Sequence, residues 1–319
     1  MPADDAGGGQ QLAASRRPRL IAVAAIAFVT LATVMASLNA PHPGTACGAI
    51  GTVETSGDEG EAVGRAGCSD DFDGAAGSPP DSRLWTVETG AGGWGNNEIQ
   101  EYTADAVYLD GNSQLVIEAR RVTTPDGAER WTSGRLTSKG KASYTSGTLS
   151  ARIQLPDGQG LLPAFWMLGD SIDQVGWPAA GEIDIVETPG HTATSFSNIH
   201  GPDLGSPGAQ RSVETSTAHD EPLSTAFHIY SVERSPGRIV IAIDGGVVAD
   251  VTPESVPEGM AWVFDEPFHA LFSLAVGGNW PGDPDHTTPD VARMVVDWVR
   301  HTPQADRAVS RERRGSLIG

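Results

Sequence analysis

Short runs of alternating apolar and polar residues recur from about Asp70 to Arg300, and they constrain the fold more than any other feature of the chain. Residues 114–120 read QLVIEAR and residues 238–244 read RIVIAID, for example. Such runs place every second side chain on one face and are typical of half-buried strands. Gly, Pro, Asp and Asn separate them, and no stretch keeps a helical apolar period for three turns. The pattern predicts an all-β domain over residues 70–302, folded as a sandwich of two antiparallel sheets.

Residues 1–40 have the composition of an export or anchoring segment. Three arginines end at Arg19, and an uncharged, mainly apolar run follows from residue 20 to residue 40. A basic flank before such a run predicts a signal peptide, cleaved after Ala36, or an N-terminal segment that stays in the membrane as an anchor. With the arginines on the cytoplasmic side, the remainder of the chain is extracellular or held on the outer side of the cell membrane.

The segments on either side of the predicted domain lack strand or helix periodicity. Residues 41–69 are rich in Gly, Ala, Glu and Asp and are predicted to be a flexible linker. Residues 303–319 are polar and rich in arginine, which predicts a frayed C-terminal tail. Cys47 and Cys68 are the two cysteines of the chain. In an oxidising compartment they could form a disulfide, and two unpaired thiols are the equal alternative.

The charge balance limits the classes of partner. The chain has 21 Lys and Arg against 41 Asp and Glu, a net charge of −20. Nucleic-acid binding needs a cationic surface, so we expect no nucleic-acid partner. Two cysteines supply neither a disulfide scaffold nor a four-ligand zinc site.

A run of acids within one predicted strand is the strongest functional signal. Residues 181–187 read GEIDIVE. In a regular strand Glu182 and Asp184 point to one face, whereas Glu187 falls on the other. A β-bulge near Ile185 and Val186 adds one residue and returns Glu187 to the face of the other two acids.

Three carboxylates in one row repel each other and raise at least one pKa, which suits an enzyme that breaks glycosidic bonds. Such an enzyme uses one ionised carboxylate as nucleophile and one protonated carboxyl as acid. A solvent-facing acidic strand and a calcium site are the alternatives. Trp166 and Trp177 lie close to the acids in sequence, and indole faces suit the apolar faces of sugar rings. These neighbours favour a glycan cleft, while Trp85, Trp262 and Trp298 are predicted to be core residues.

The acid motif and an ordered series of further segments resemble family 16 of the glycoside hydrolases, in its laminarinase-like branch. The resemblance covers most of the chain from Asp70 to Arg300. Its segments are DDFDG at 70–74, GGWGNNE at 92–98, SGRL at 133–136, PAFWML at 163–168, EIDIVE at 182–187, HG at 200–201, VGGNWPG at 276–282 and VDWVR at 296–300.

The resemblance implies a β-jelly-roll sandwich with a concave glycan-binding cleft, and a retaining, endo-acting hydrolase of β-linked glucan, above all β-1,3-glucan. It makes Glu182 the nucleophile, Glu187 the general acid/base, and Asp184 their hydrogen-bonding neighbour. The residues expected to contact sugar are Trp94, Asn96, Arg135, Trp166, Trp177 and His200. A core role is the alternative for His200.

This chemistry requires no cofactor, and we expect a monomer. By resemblance, Asp297 is a candidate ligand of a structural calcium. The alternatives in function are a transglycosylase that remodels a wall polysaccharide and a non-catalytic, lectin-like module that only binds glycan.

Overall fold

The structure is a computed structural model that describes residues 68–304. Strands dominate these residues, joined by loops, one single-turn helix α1 (Ile172–Val175) and two 3-10 turns (Ala104–Ala106 and Leu223–Thr225). The strands are β1 (Cys68–Asp70), β2 (Thr86–Glu88), β3 (Glu101–Tyr102), β4 (Val107–Leu109), β5 (Leu115–Thr123), β6 (Glu129–Ser133), β7 (Arg135–Thr137), β8 (Gly147–Gln154), β9 (Leu161–Gly169), β10 (Glu182–Glu187), β11 (Thr194–Pro202), β12 (Gln210–Ala218), β13 (His228–Ser235), β14 (Arg238–Ile243), β15 (Gly246–Val251), β16 (Phe268–Val276) and β17 (Val291–Thr302).

These strands form two sheets. The ten-stranded sheet has the order β15-β14-β13-β8-β17-β5-β6-β3, with β1 paired to β17 and β4 paired to β5. The seven-stranded sheet has the order β12-β11-β10-β9-β16-β7-β2. Among the named strands of residues 68–304 every pair is antiparallel except β3 with β6. The predicted all-β sandwich of two antiparallel sheets is therefore confirmed, with one short parallel pair.

The core lies between the sheets, where the alternating side chains of the sequence meet. Strand β8 reads GTLSARIQ, and its burial alternates residue by residue. Phe165 of β9 stacks on Phe272 of β16 with ring centroids 4.6 Å apart, and Trp85 meets Phe272 edge-on. Trp85 and Trp298 are buried as predicted, and Trp262 packs partly buried against the same core.

Strand β16 is buried along all nine of its residues because it has the core on one side and the floor of a cleft on the other. The acid strand β10 lies two places away in the same sheet and begins directly after Gly181. Gly181 has a φ of +79°, and a Cβ there would lie 2.7 Å from Val263 and 3.0 Å from Phe268. A glycine is therefore required at the entry to the acid strand.

The first strand corrects one predicted boundary. Cys68 and Ser69 belong to β1, which pairs with the end of β17, so they are part of the sheet rather than of the linker predicted over 41–69. The pairing joins residues more than 200 positions apart, which no local pattern reveals. Cys68 is disulfide-bonded. Cys47, residues 1–40, the linker up to residue 67 and the tail beyond residue 304 lie outside the described residues. Within residues 68–304 no helix has the length and apolarity needed to cross a membrane.

Candidate active site

The three acids of β10 reach one face of the sheet through a bulge. Glu182 pairs with His200 on β11 and Asp184 with Asn198, but Glu187 pairs with Phe196, so β10 contains one residue more than its partner over this interval. The register with β9 shifts between Asp184 and Val186. The bulge predicted near Ile185 and Val186 is confirmed. Both of those apolar side chains are fully buried, and the three carboxyl groups line the cleft.

The cleft lies over the outer face of the seven-stranded sheet and has a volume of about 690 Å³. All the residues predicted to contact sugar lie on its walls together with the acids. They are Trp94, Asn96, Arg135, Trp166, Trp177 and His200. The fold thus brings together residues that the sequence separates by more than 100 positions.

Each carboxyl group has a different neighbour. The Trp177 indole N–H donates to Glu182 Oε2 at 2.9 Å, and the Asn198 side-chain amide donates to Glu187 Oε2 at 3.1 Å. His200 Nε2 lies 3.1 Å from Asp184 Oδ2. A carboxylate oxygen of Glu182, one of Asp184 and a ring nitrogen of His200 all lie within 4.8 Å of one another. The neighbours therefore differentiate three otherwise similar acids.

Burial and mutual repulsion shift the proton affinities of this row. Burial, then the charge of Asp184, raises the pKa of Glu182 to about 8. Burial also raises the pKa of Glu187 well above its usual range, with added repulsion from Asp184 and Glu182. Burial disfavours a charged His200, but the contact with Asp184 and the charges of Asp184 and Glu182 outweigh it and raise the pKa of His200 to about 10. The surroundings therefore favour the charged form of His200 and the protonated forms of Glu182 and Glu187.

Arg135 lies between two indoles on the opposite wall of the cleft. Its guanidinium carbon is 4.9 Å from the centroid of Trp94 and 4.8 Å from that of Trp166. Its Nε donates to Glu88 at 2.5 Å. The Trp166 N–H donates to Ser273 at 3.1 Å. This stack gives the wall a rigid aromatic surface with a positive charge at its centre.

Comparison with known proteins identifies the family. Residues 95–300 match the family model described as Glycosyl hydrolases family 16. The chain belongs to this family.

Three similar proteins define the branch. A beta-glucanase from Rhodothermus marinus is 36% identical over 249 residues, which are 73% of this chain and 82% of that protein. The laminarinase catalytic domain from Thermotoga maritima superposes with a TM-score of 0.66 at 38% identity, over 75% of this chain and 97% of that one. The endo-beta-1,3-glucanase from Pyrococcus furiosus has a TM-score of 0.66 at 40% identity, over 74% and 94%. The predicted jelly-roll fold and the predicted family 16 resemblance, in its laminarinase-like branch, are both confirmed.

The family 16 cleft also contains residues that were not predicted from the sequence. Trp280 is 42% exposed and meets Phe196 edge-on at 4.9 Å, beside the Glu187 end of the acid strand. Asn198 and Glu98 line the same cleft. Trp280 lies within residues 276–282, one of the segments that resemble family 16. That segment was the signal in the sequence that could have placed Trp280 in the cleft. The loop is held in place by Asn279, whose backbone N–H donates to Asn96 and whose side chain accepts from Asn97.

Asp297 lies on β17, in the sheet opposite the cleft sheet. Its Oδ2 accepts from Arg152 at 2.7 Å, so a guanidinium already provides its positive charge. Among residues 68–304 the one group of three close His, Cys, Asp or Glu ligand atoms is Glu182, Asp184 and His200. Calcium takes six to eight oxygen ligands, and the contact with Arg152 already engages one carboxylate oxygen of Asp297. The calcium stays a prediction, and no step of the reaction depends on it.

Proposed function

We propose that this family 16 chain is a retaining, endo-acting hydrolase of β-linked glucan, with β-1,3-glucan as its preferred substrate. The observation that carries the proposal is the bulged acid strand, which aims Glu182, Asp184 and Glu187 into one aromatic cleft. The similarity to a laminarinase and to an endo-beta-1,3-glucanase supports the choice of linkage.

The reaction follows from the two outer acids. Glu182, ionised, attacks the anomeric carbon, while the protonated Glu187 donates to the glycosidic oxygen, so the aglycon leaves as an alcohol and a glycosyl ester forms on Glu182. Glu187, now ionised, takes a proton from water as the water oxygen attacks the same carbon. The ester breaks, Glu182 leaves as a carboxylate, and Glu187 is protonated again. Two inversions give net retention at the anomeric carbon.

Asp184 and His200 act in opposite directions on the ionisation of Glu182. Burial and the charge of Asp184 favour the protonated form of Glu182, which must ionise before it can attack. The imidazolium of His200, 3.1 Å from Asp184, adds a positive charge that favours carboxylates in this row. Of the causes that act on Glu182, the charge of His200 and the Trp177 hydrogen bond lower its pKa, whereas burial and Asp184 raise it.

The activity is tested with a panel of laminarin, mixed-linkage β-glucan, agarose and carrageenan, scored for released reducing ends. Laminarin is expected to give the fastest release, and Glu182→Gln to abolish turnover while retaining laminarin binding. We expect the carboxyl groups of Glu182 and Glu187 to act at the retaining separation of about 5–5.5 Å, so NMR should detect the β-anomer first. First appearance of the α-anomer would exclude a covalent nucleophile.

The same panel separates the two alternatives. A transglycosylase would give longer oligosaccharides at high acceptor concentration, with few new reducing ends. A lectin-like module would bind laminarin and release no product. Both Glu182 and Glu187 are present, and loss of either would be the simplest route to a binding module, so hydrolysis is favoured.

We also propose that residues 20–40 direct the catalytic domain out of the cytoplasm, either as a cleaved signal or as an anchor. The uncharged run directly after three arginines supports this, as does the polymeric nature of the substrate. N-terminal sequencing of the exported protein distinguishes cleavage after Ala36 from a retained anchor. An intact chain found wholly in the soluble cytoplasm would refute both.

A further inference from the structure

His200 makes a second contact that the reaction scheme does not use. Its Nδ1 lies 2.6 Å from Oε1 of Gln210, the first residue of the edge strand β12. His200 pairs with Ser212, and Gln210 lies two residues earlier along β12. Residues two apart on a strand share a face, so Gln210 reaches the imidazole diagonally along the surface of the sheet.

The charges around His200 define the direction of that hydrogen bond. From β10 it faces Asp184 and Glu182, with Glu187 further along the strand, and from β12 the exposed Glu214 lines the same cleft. These acids hold the imidazole as a cation, so both ring nitrogens carry a hydrogen. Nδ1–H must therefore meet an acceptor, and the Gln210 amide presents its oxygen.

We propose that Gln210 is a positioning residue for the hydrolytic reaction, fixing the imidazolium of His200 so that Nε2 stays 3.1 Å from Asp184 Oδ2. The proposal rests on the function proposed above. A line of neighbouring side chains then runs from Glu182 through Asp184 and His200 to Gln210 at the sheet edge. Gln210 is not among the described side chains that line the cleft, so it acts through His200 and not by touching the reacting sugar.

Loss of the Gln210 oxygen frees the imidazole to turn. Asp184 and Glu182 then lose a fixed positive neighbour, so the protonated form of the nucleophile is favoured. Because Gln210 is not among the described side chains that line the cleft, we expect the loss in kcat and not in KM. A hydrogen bond made by a charged donor corresponds to a decrease in rate of about tenfold or more.

The test compares Gln210→Leu, which keeps the size and removes the acceptor, with Gln210→Glu, which keeps an acceptor at the same reach. Ser216→Ala, an exposed position further along β12, is the matched control. On laminarin we expect Gln210→Leu to lower kcat about tenfold with KM within about twofold, and to move the acidic limb of the pH profile to higher pH. Gln210→Glu should retain kcat within about threefold, and Ser216→Ala should match the wild type.

An independent measurement is NMR of protein labelled with ¹⁵N-histidine. The signals of His200 are assigned as those that are missing from the spectrum of His200→Asn. The titration midpoint of His200 should decrease in Gln210→Leu and not in Gln210→Glu. The NMR titration needs no turnover, so it tests the contact between Gln210 and His200 even if the wild type cleaves no glucan. Absence of cleavage by the wild type would overturn the proposed function instead. A wild-type pH profile and midpoint in folded Gln210→Leu would overturn the positioning role. Equal loss of kcat in Gln210→Leu and Gln210→Glu, with no shift of the pH profile or of the His200 titration midpoint, would also overturn the positioning role.

Discussion

Replacing Trp177 by phenylalanine removes one N–H from the nucleophile while an aromatic ring stays in the cleft. The indole N–H donates to Glu182 Oε2 at 2.9 Å, and this bond lowers the pKa of Glu182 against the opposing effects of burial and Asp184. Its loss should raise the pKa of Glu182 further above its ordinary value. Since only the ionised Glu182 attacks, activity should be lost as the pH falls through a higher value than in the wild type.

The size of this shift follows from the bond and its surroundings. A hydrogen bond to a charged group contributes about 1.5–3 kcal/mol. Trp177 is 49% exposed, so water replaces part of the lost bond and the lower end of that range applies. One pKa unit corresponds to about 1.36 kcal/mol, so the acidic limb of kcat/KM should move up by about one pH unit. At pH values well below the acidic limb, kcat/KM of Trp177→Phe should be about tenfold lower than that of the wild type, and on the pH-independent plateau it should change little.

The assay is the pH dependence of kcat/KM on laminarin for the wild type and Trp177→Phe. Trp280→Phe is the matched control, because Trp280 is similarly exposed in the same cleft and contacts Phe196. The control should change the affinity for glucan without moving the acidic limb. An unmoved limb in Trp177→Phe, or an equal shift in both variants, would refute the assignment of the Trp177 N–H to the nucleophile.

Two further substitutions test the acid and the core. Glu187→Gln should lower kcat on laminarin by about 10²–10⁴-fold and remove the basic limb of the pH profile, because burial raises the pKa of Glu187 and its donor form is lost only as pH rises through that value. The leaving group of a dinitrophenyl β-glucoside departs without a proton. An equal loss of kcat in Glu187→Gln on this substrate and on laminarin would therefore contradict the role of Glu187 as the acid. Phe272→Ala should lower the free energy of unfolding by about 3–5 kcal/mol in denaturant titrations, since Phe272 is fully buried against Phe165. Val247→Ala, at a 63% exposed residue, should stay within about 0.5 kcal/mol, and similar values for the two variants would contradict the core assignment.

The sequence allowed the acid strand to be predicted in detail because its information is local. The alternation of Ile183 and Ile185 with the acids defines two faces, and the extra residue before Glu187 requires a bulge. Both features depend only on the period of a strand. The alternating runs likewise predicted a two-sheet sandwich, since each run has one apolar face to bury.

The contacts of the site depended on long-range geometry and could not be predicted in this way. His200 was considered as a sugar contact or a core residue, and the structure places it against Asp184 and Gln210. Trp177 was predicted to offer its ring face to sugar, and the structure adds a hydrogen bond from its N–H to Glu182. Trp280 reaches the cleft on a loop whose position depends on contacts with residues 96 and 97, far away in sequence. Strand order and loop docking decide such contacts, and residue periodicity carries no information about either.

Trapping the covalent intermediate tests the central claim, that Glu182 is the nucleophile of a retaining glucanase. A β-1,3-linked oligoglucoside with fluorine at C2 of the reacting sugar and a dinitrophenolate leaving group should form the ester and release it slowly. Mass spectrometry of the digested protein should then find the added sugar on Glu182, and Glu182→Gln should carry none. An adduct on Asp184 or Glu187, or an unmodified wild type that still cleaves the reagent, would contradict the account.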